Sequence, residues 1–150
     1  MGAAAEIAAA LCRQFEGFYP RPYLCPAGVP TIGYGSTRYE DGARVTLKDP
    51  PITRERAEQL LQWELGQDCV PQALRLCPAL LGAGPDALGA ISDFAYNLGW
   101  PNLRASTLRK RINAQDWAGA AVELRKWVRG GGRVLPGLVK RREAEARLMP

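Results

Sequence analysis

The chain has 150 residues, of which 47% are apolar and 23% charged, with a formal net charge of +5 and no histidine. That length suits one compact domain with a single sizeable core, and no apolar run approaches the roughly 20 residues of a membrane span, so the chain reads as soluble. The absence of histidine excludes imidazole-dependent nucleophile pairs and triads. Cys12, Cys25, Cys69 and Cys77 fit neither a zinc nor a redox spacing, so neither a metal nor another cofactor is expected.

The first element in chain order is a helix over about residues 3–15, where Ile7, Ala8, Leu11, Cys12 and Phe15 form one apolar stripe. Its alanine-rich start is interrupted by Glu6 and lacks a preceding basic region, so it does not read as a secretory signal. Glutamate as the sixth residue also departs from the myristoylation pattern. The helix ends near Glu16 and Gly17. From Pro20 to about Arg44, prolines and glycines forbid a long helix, while "VPTIGYG" alternates as a strand and "CPAGVP" supplies the turn before it. A small β-lobe over about residues 17–50 follows from this.

After "KDPPIT", Thr53 is the expected N-cap of a helix with Glu55 in its first turn. Ala57, Leu60, Leu61, Glu64 and Leu65 keep helical spacing until Pro71 kinks or ends it. The next helix follows "GAGP" with Asp86 as cap, and "ALGAISDFAYNL" is apolar around so much of its circumference that burial within a lobe is expected. Shorter helices fit "STLRKRIN", "DWAGAAVELRKWV" and "LVKRREAEARLM", separated by "GWPN", "AQ" and the flexible "RGGGRVLPG". The expected architecture is α+β in one domain over 1–150. A mostly helical lobe, about 53–150 plus the N-terminal helix, stands beside a β-hairpin lobe, with a binding cleft between them.

Charge is uneven: residues 101–150 carry 12 Lys/Arg against 4 Asp/Glu, and residues 1–100 carry 8 against 11. The basic third favours a polyanionic partner, such as nucleic acid or an anionic cell envelope, or else is a solvated surface whose arginines cap helix C-termini.

The segment "EGFYPRPYLCPAGVPTIGYGST", residues 16–37, places Glu16, eight residues, Cys25, five residues and Thr31 in order before "IGYG". This spacing resembles the catalytic segment of the bacteriophage-type lysozymes, glycoside hydrolase family 24, in the variant with cysteine where many members carry aspartate. "AISDFAYNLG", "STLRKRIN", "WAGAAVELRKWVRGGG" and "GLVKRREAEARL" resemble the family's helical segments in the same order. The resemblance implies a lysozyme-like fold and hydrolysis of the β-1,4 bond between N-acetylmuramic acid and N-acetylglucosamine in peptidoglycan. It implies Glu16 as general acid, Cys25 across the sugar from it, Thr31 positioning the attacking water, and Tyr96 and Thr107 lining sugar subsites.

Glycosidic hydrolysis needs a proton donor to the leaving oxygen and a group on the opposite face of the sugar. Glu16 is the segment's only acid, and the negative end of a helix macrodipole together with partial desolvation favours the protonated form a donor needs. Inversion at the anomeric carbon is implied by the family, although a sulfur partner leaves a covalent intermediate open. Ser36 stands where the family commonly has histidine, a change that bears on local hydrogen bonding. Cys12 shares a helix face with Glu16, so a Cys12–Cys25 disulfide is a further reading beside ordinary core packing. Cys69 and Cys77 are expected to be buried helix residues. The four tryptophans read as packing anchors in preference to sugar platforms, and the arginines of "KRRE" as either contacting the catalytic lobe or solvating the last helix, the second being favoured.

The implied partner is bacterial peptidoglycan, with no nucleic acid, for a monomer held in the host bacterial cytoplasm that reaches the periplasmic wall once a holin opens the membrane. Two alternatives stand beside this reading. One is a catalytically silent wall-binding module; the other is a nucleic-acid-binding domain with "STLRKRIN" as recognition helix, against which Leu108 and Ile112 face a core.

Overall fold

The computed structural model describes residues 2–150. Helix α1, Gly2–Glu16, follows from its alanines, which lose the least free energy on entering a helix. Its buried face is Ala4, Ala5, Ala8, Ala9, Leu11 and Cys12, shifted toward the small residues, while Phe15 is only half-buried. Small side chains let α1 press closely on α5, Pro85–Leu98. At Gly89 a Cβ would stand 2.6 Å from Ile7 Cγ2 and 3.0 Å from the Ala4 carbonyl oxygen, so no larger residue fits that crossing.

Strands β1, Tyr19–Leu24, and β2, Pro30–Gly33, pair antiparallel with Tyr23 opposite Thr31 and Leu24 opposite Pro30. The turn is closed by the Cys25 N–H donating to the Val29 carbonyl at 3.0 Å and the Gly28 N–H donating to the Cys25 carbonyl at 2.7 Å. Ile32 and Val45 of this lobe form a small second core with Leu60 of α2. The lobe therefore sits on the helices through its own apolar contact.

Helix α2, Arg54–Glu64, is capped by Thr53, whose hydroxyl accepts from the Arg56 N–H at 3.1 Å. Pro71 does not end the helical run, the second of the two outcomes expected of it. A wide π-turn, Leu65–Cys69, comes just before it and α3, Val70–Leu76, continues with Pro71 in its first turn, where a missing N–H is harmless. A four-residue α4, Leu80–Ala83, precedes α5. Gly84, not Asp86, caps α5, because Pro85 takes the first helical position and moves the cap back by two.

"GWPN" is no spacer: Trp100–Ala105 is helix α6, again with proline in its first turn. Helices α7, Thr107–Asn113, and α8, Trp117–Leu124, are capped by Ser106 and Asp116. The glycine-rich stretch is a short hairpin, β3 Arg129–Gly130 with β4 Arg133–Val134, that delivers α9, Pro136–Ala146. The main core gathers α1, α3, α5 and the inner faces of α6 to α9 around Phe94, Ile91, Leu103, Leu108, Ile112 and Leu124. Helix α5 lies at its centre, with every residue from Ala87 to Ala95 buried. No helix among the described residues is long and apolar enough to cross a membrane.

Candidate active site

Glu16 closes α1 with its side chain 22% exposed, and its Oε1 accepts from Arg141 Nη1 of α9 at 2.6 Å. On its other side lies the hairpin. Gly35, at φ +92°, is so near that a Cβ there would stand 3.1 Å from Glu16 Oε2. The carboxyl is thus held between a cation and bare backbone.

Behind it runs a buried chain of polar groups. Arg141 is 3% exposed and grips the fully buried Asp93 of α5 with two bonds, Nε to Oδ2 at 2.9 Å and Nη2 to Oδ1 at 2.7 Å. The Cys12 thiol donates to Asp93 Oδ1 at 3.1 Å. Burial works against the Asp93 carboxylate, but the Arg141 guanidinium outweighs it and holds the carboxyl below its usual range. The same burial, with Asp93 beside it, pushes the Cys12 thiol well up. Cys12 is therefore a protonated hydrogen-bond donor, and all four cysteines are free, Cys69 and Cys77 buried as expected.

This overturns one expectation. The "KRRE" arginines do not solvate α9: Arg141 and Arg142 are both buried, Arg142 completely. They occupy the inner face of α9 because α5 offers Asp93 and Asn97, and α9 itself offers Glu145. A dense charge run gives no hint of which members point inward.

On the hairpin side, Cys25 is partly exposed in the bend and Thr31 is buried beside it in β2. Burial alone would raise the Cys25 thiol, but the backbone at Val29 and Ala27 and the Thr31 hydroxyl together lower it below its ordinary value. Thr31 Oγ1 donates to the Val29 carbonyl at 2.8 Å and is within reach of the sulfur, so its single proton serves whichever acceptor carries more charge. Tyr23 lies near both halves of the site. Its phenol is pushed up to about 12 by burial and by the charges of Glu16, Tyr19 and Cys25. Glu16 and Cys25 thus both lie within electrostatic range of Tyr23, and Thr31 is within hydrogen-bond reach of Cys25.

Beyond Gly35 the two lobes enclose a cavity of about 380 Å³, lined among others by Arg38, Arg44, Glu64, Asp68, Tyr96 and Trp100. The Tyr96 hydroxyl donates to the Tyr34 carbonyl at 2.8 Å, which fastens α5 to the hairpin and leaves the ring to line the cavity. Trp100 packs on the main core and also lines this cavity, so it is more than a packing anchor. Thr107 opens α7, exposed, and is not among the lining residues.

Two lining groups went unnoticed in the sequence. Burial pushes the Glu64 carboxyl up to about 7, against the pull of Arg38, whose Nε stands 3.7 Å away. Arg38 also donates to Asp68 at 3.2 Å, so this β-lobe cation spans two acids of the helical lobe. The signal available was Glu64's place on the apolar stripe of α2. Ser36 is buried near the Tyr96 hydroxyl, with no partner for its own hydroxyl in hydrogen-bond geometry.

Comparison with known proteins places this arrangement. The family model described as phage lysozyme matches residues 13–145. The chain is 34% identical over 142 residues to an endolysin of Acyrthosiphon pisum secondary endosymbiont phage 1, covering 92% of this chain and 91% of that protein. It is 34% identical over 131 residues to the SAR-endolysin of bacteriophage PS119, covering 87% and 73%. Among solved structures, an endolysin from Escherichia coli O157:H7 phage FAHEc1 superposes with a TM-score of 0.73 at 28% identity, covering 95% of this chain and 89% of that one.

Proposed function

The chain belongs to the phage lysozyme family, and from that premise we propose that its cleft hydrolyses the β-1,4 bonds between N-acetylmuramic acid and N-acetylglucosamine of bacterial peptidoglycan, as an endolysin. The observation that carries this reading is Glu16, a lone partly exposed carboxyl at a helix end, clasped between Arg141 and Gly35 beside the hairpin that bears Cys25 and Thr31.

In the proposed mechanism Glu16 gives its proton to the leaving glycosidic oxygen. A water on the opposite face of the sugar attacks the anomeric carbon. Thr31, whose single proton goes to the Val29 carbonyl or the Cys25 sulfur, offers oxygen lone pairs that accept from this water and turn its own lone pair toward the carbon. Cys25, held in the bend with its thiol lowered, turns its sulfur lone pairs toward the developing positive charge on the sugar. Tyr96 lines the groove through its ring, since its hydroxyl is occupied by Tyr34. No step calls for a metal.

The exposed arginines and lysines of residues 101–150 suit an anionic wall. We place the protein as a monomer in the host bacterial cytoplasm, acting on the periplasmic wall after a holin opens the membrane.

The deciding experiment is loss of turbidity of purified sacculi with wild type, Glu16→Gln and Cys25→Ser, and assay of the released reducing ends for muramic acid. Wild type lyses and releases muramic reducing ends, while Glu16→Gln falls by about 10³-fold, the range for removing a general acid. Cys25→Ser keeps a measurable rate that reports the thiol's share. Binding of sacculi without lysis by wild type would replace the enzyme with a wall-binding module.

A further inference from the structure

The polar chain behind Glu16 does not stop at Asp93. Glu145, fully buried on α9 one turn beyond Arg141, lies within hydrogen-bond reach of Asp93. Its Oε1 accepts from Arg142 Nη2 at 2.7 Å. Its Oε2 stands 2.7 Å from Arg142 Nε but off the line of that N–H, and has no hydrogen-bond partner. A buried, unpartnered carboxyl oxygen next to a second carboxylate is the arrangement in which a proton is retained, because two adjacent carboxylates cannot both be ionised without strong repulsion.

The connected set holds three acids, Glu16, Asp93 and Glu145, and two cations, Arg141 and Arg142. Asp93 already accepts from Arg141 twice and from Cys12, so it is the better carboxylate, and Glu145 is the better place for the proton. Burial pushes Glu145 well up while Arg141 keeps Asp93 low, in the same sense.

We propose that Asp93 is a positioning residue for the glycosidase reaction: it carries the single negative charge of an Asp93–Glu145 pair that shares one proton, neutralises Arg141, and so leaves Glu16 able to hold the proton it delivers. Without Asp93, the whole charge of Arg141 would bear on Glu16 and stabilise its carboxylate, the form that cannot act as an acid. This rests on the reading of Glu16 as the acid.

The groups facing Asp93 are Cys12 of α1, Arg141 and Glu145 of α9, and Cys69 of the π-turn, with Arg142 behind Glu145. Those facing Glu16 are Arg141, Cys12, Tyr23 of β1, Glu64 of α2 and Tyr96 of α5. Of these, Glu64 titrates near neutrality and is removed as a separate variable in the test.

The experiment is the initial rate of sacculus solubilisation against pH for wild type, Asp93→Asn and Glu145→Gln, each also in a Glu64→Gln background. Asp93→Asn is expected to move the alkaline limb by about one pH unit to lower pH, the size of effect an adjacent unscreened charge has. Glu145→Gln, whatever its rate, is expected to keep the limb at the wild-type pH, because the amide N–H donates to Asp93 as the protonated carboxyl does. An unmoved limb in Asp93→Asn, or a limb in Glu145→Gln that moves with it, overturns the proposal.

A second readout needs neither activity nor a folded Asp93 variant. Isotope-edited infrared spectra at neutral pH, recorded in a Glu16→Gln, Glu64→Gln background, are expected to show a protonated-carboxyl stretch that is missing once Glu145→Gln is added. Its absence from that background overturns the shared proton. An inactive wild type, or a fully active Glu16→Gln, would instead refute the assignment of Glu16 and leave the infrared result to stand alone.

Discussion

Glu16 is gripped by a guanidinium that α9 delivers from 125 positions away, whereas Cys25 is held by a backbone bond to a residue four positions on. The acid side of the cleft is dry behind its surface: Arg141, Asp93 and Cys12 are buried, and each is satisfied by another. The hairpin side is a partly exposed bend supported by its own turn. Under the proposed roles, such a division sets Glu16 rigidly, through groups whose orientation is fixed before substrate arrives, and leaves the opposite face to adjust around a water and a sugar.

The comparison is broken most severely by Arg141→Ala. This leaves Asp93 as a buried carboxylate without its cation, a loss of about 3–5 kcal/mol, or about 10 °C in thermal midpoint for a chain of this size, together with loss of lysis. Differential scanning calorimetry reads the first and turbidity the second. The change on the hairpin side, Cys25→Ser, is expected to leave the midpoint within about 1 °C, in keeping with surface substitutions away from special features.

Gly35→Ala tests where the two sides touch. A methyl 3.1 Å from Glu16 Oε2, on a backbone with φ +92°, must push either the carboxyl or the hairpin. The expected result is a rate lower by about 10²-fold, the scale of a 1 Å misplacement, for only about 1–3 kcal/mol of stability. A loss of stability without that loss of rate would show that the carboxyl is less tightly placed than the contact indicates.

Glu64→Gln sharpens the comparison through pH. Burial raises Glu64 from an ordinary 4.5 to about 7, so the folded chain keeps a proton the unfolded chain has already lost, and wild-type stability falls as pH rises across that window. Glutamine has no proton to lose. Its midpoint is expected to match wild type near pH 4 and to exceed it near pH 8, by the equivalent of about 2–3 kcal/mol at most. The smallest effect is reserved for Thr107→Ala. Exposed and outside the cavity lining, it is expected to change the rate by less than about twofold, within the ±0.5 kcal/mol of an ordinary surface change.

The hairpin side was legible in sequence because its determinants are local. Glu16, Cys25 and Thr31 fall within 16 residues of one another, and proline and glycine mark the bend between them. Thr53 as a cap and the all-round burial of α5 were legible for the same reason. The acid side was not, since Arg141, Asp93 and Cys12 meet only when three helices pack. What the sequence did contain was incongruity: Asp93 inside an otherwise apolar α5, and Glu64 on the buried stripe of α2. A charged residue where the periodicity demands an apolar one is either an error of period or a partner waiting for its counter-charge, and here it was the second. The misplaced boundaries at Asp86 and "GWPN" have a humbler cause, a proline in the first helical turn that was read as a stop.

The bond from Arg141 to Glu16 has a further consequence during translation. At about 5–20 residues per second, a ribosome adds the arginine some 6–25 s after the glutamate. Until α9 emerges and docks, the nascent chain carries its acid on α1 without the cation that orients it. The acid side of the cleft is therefore complete only once α9 has docked.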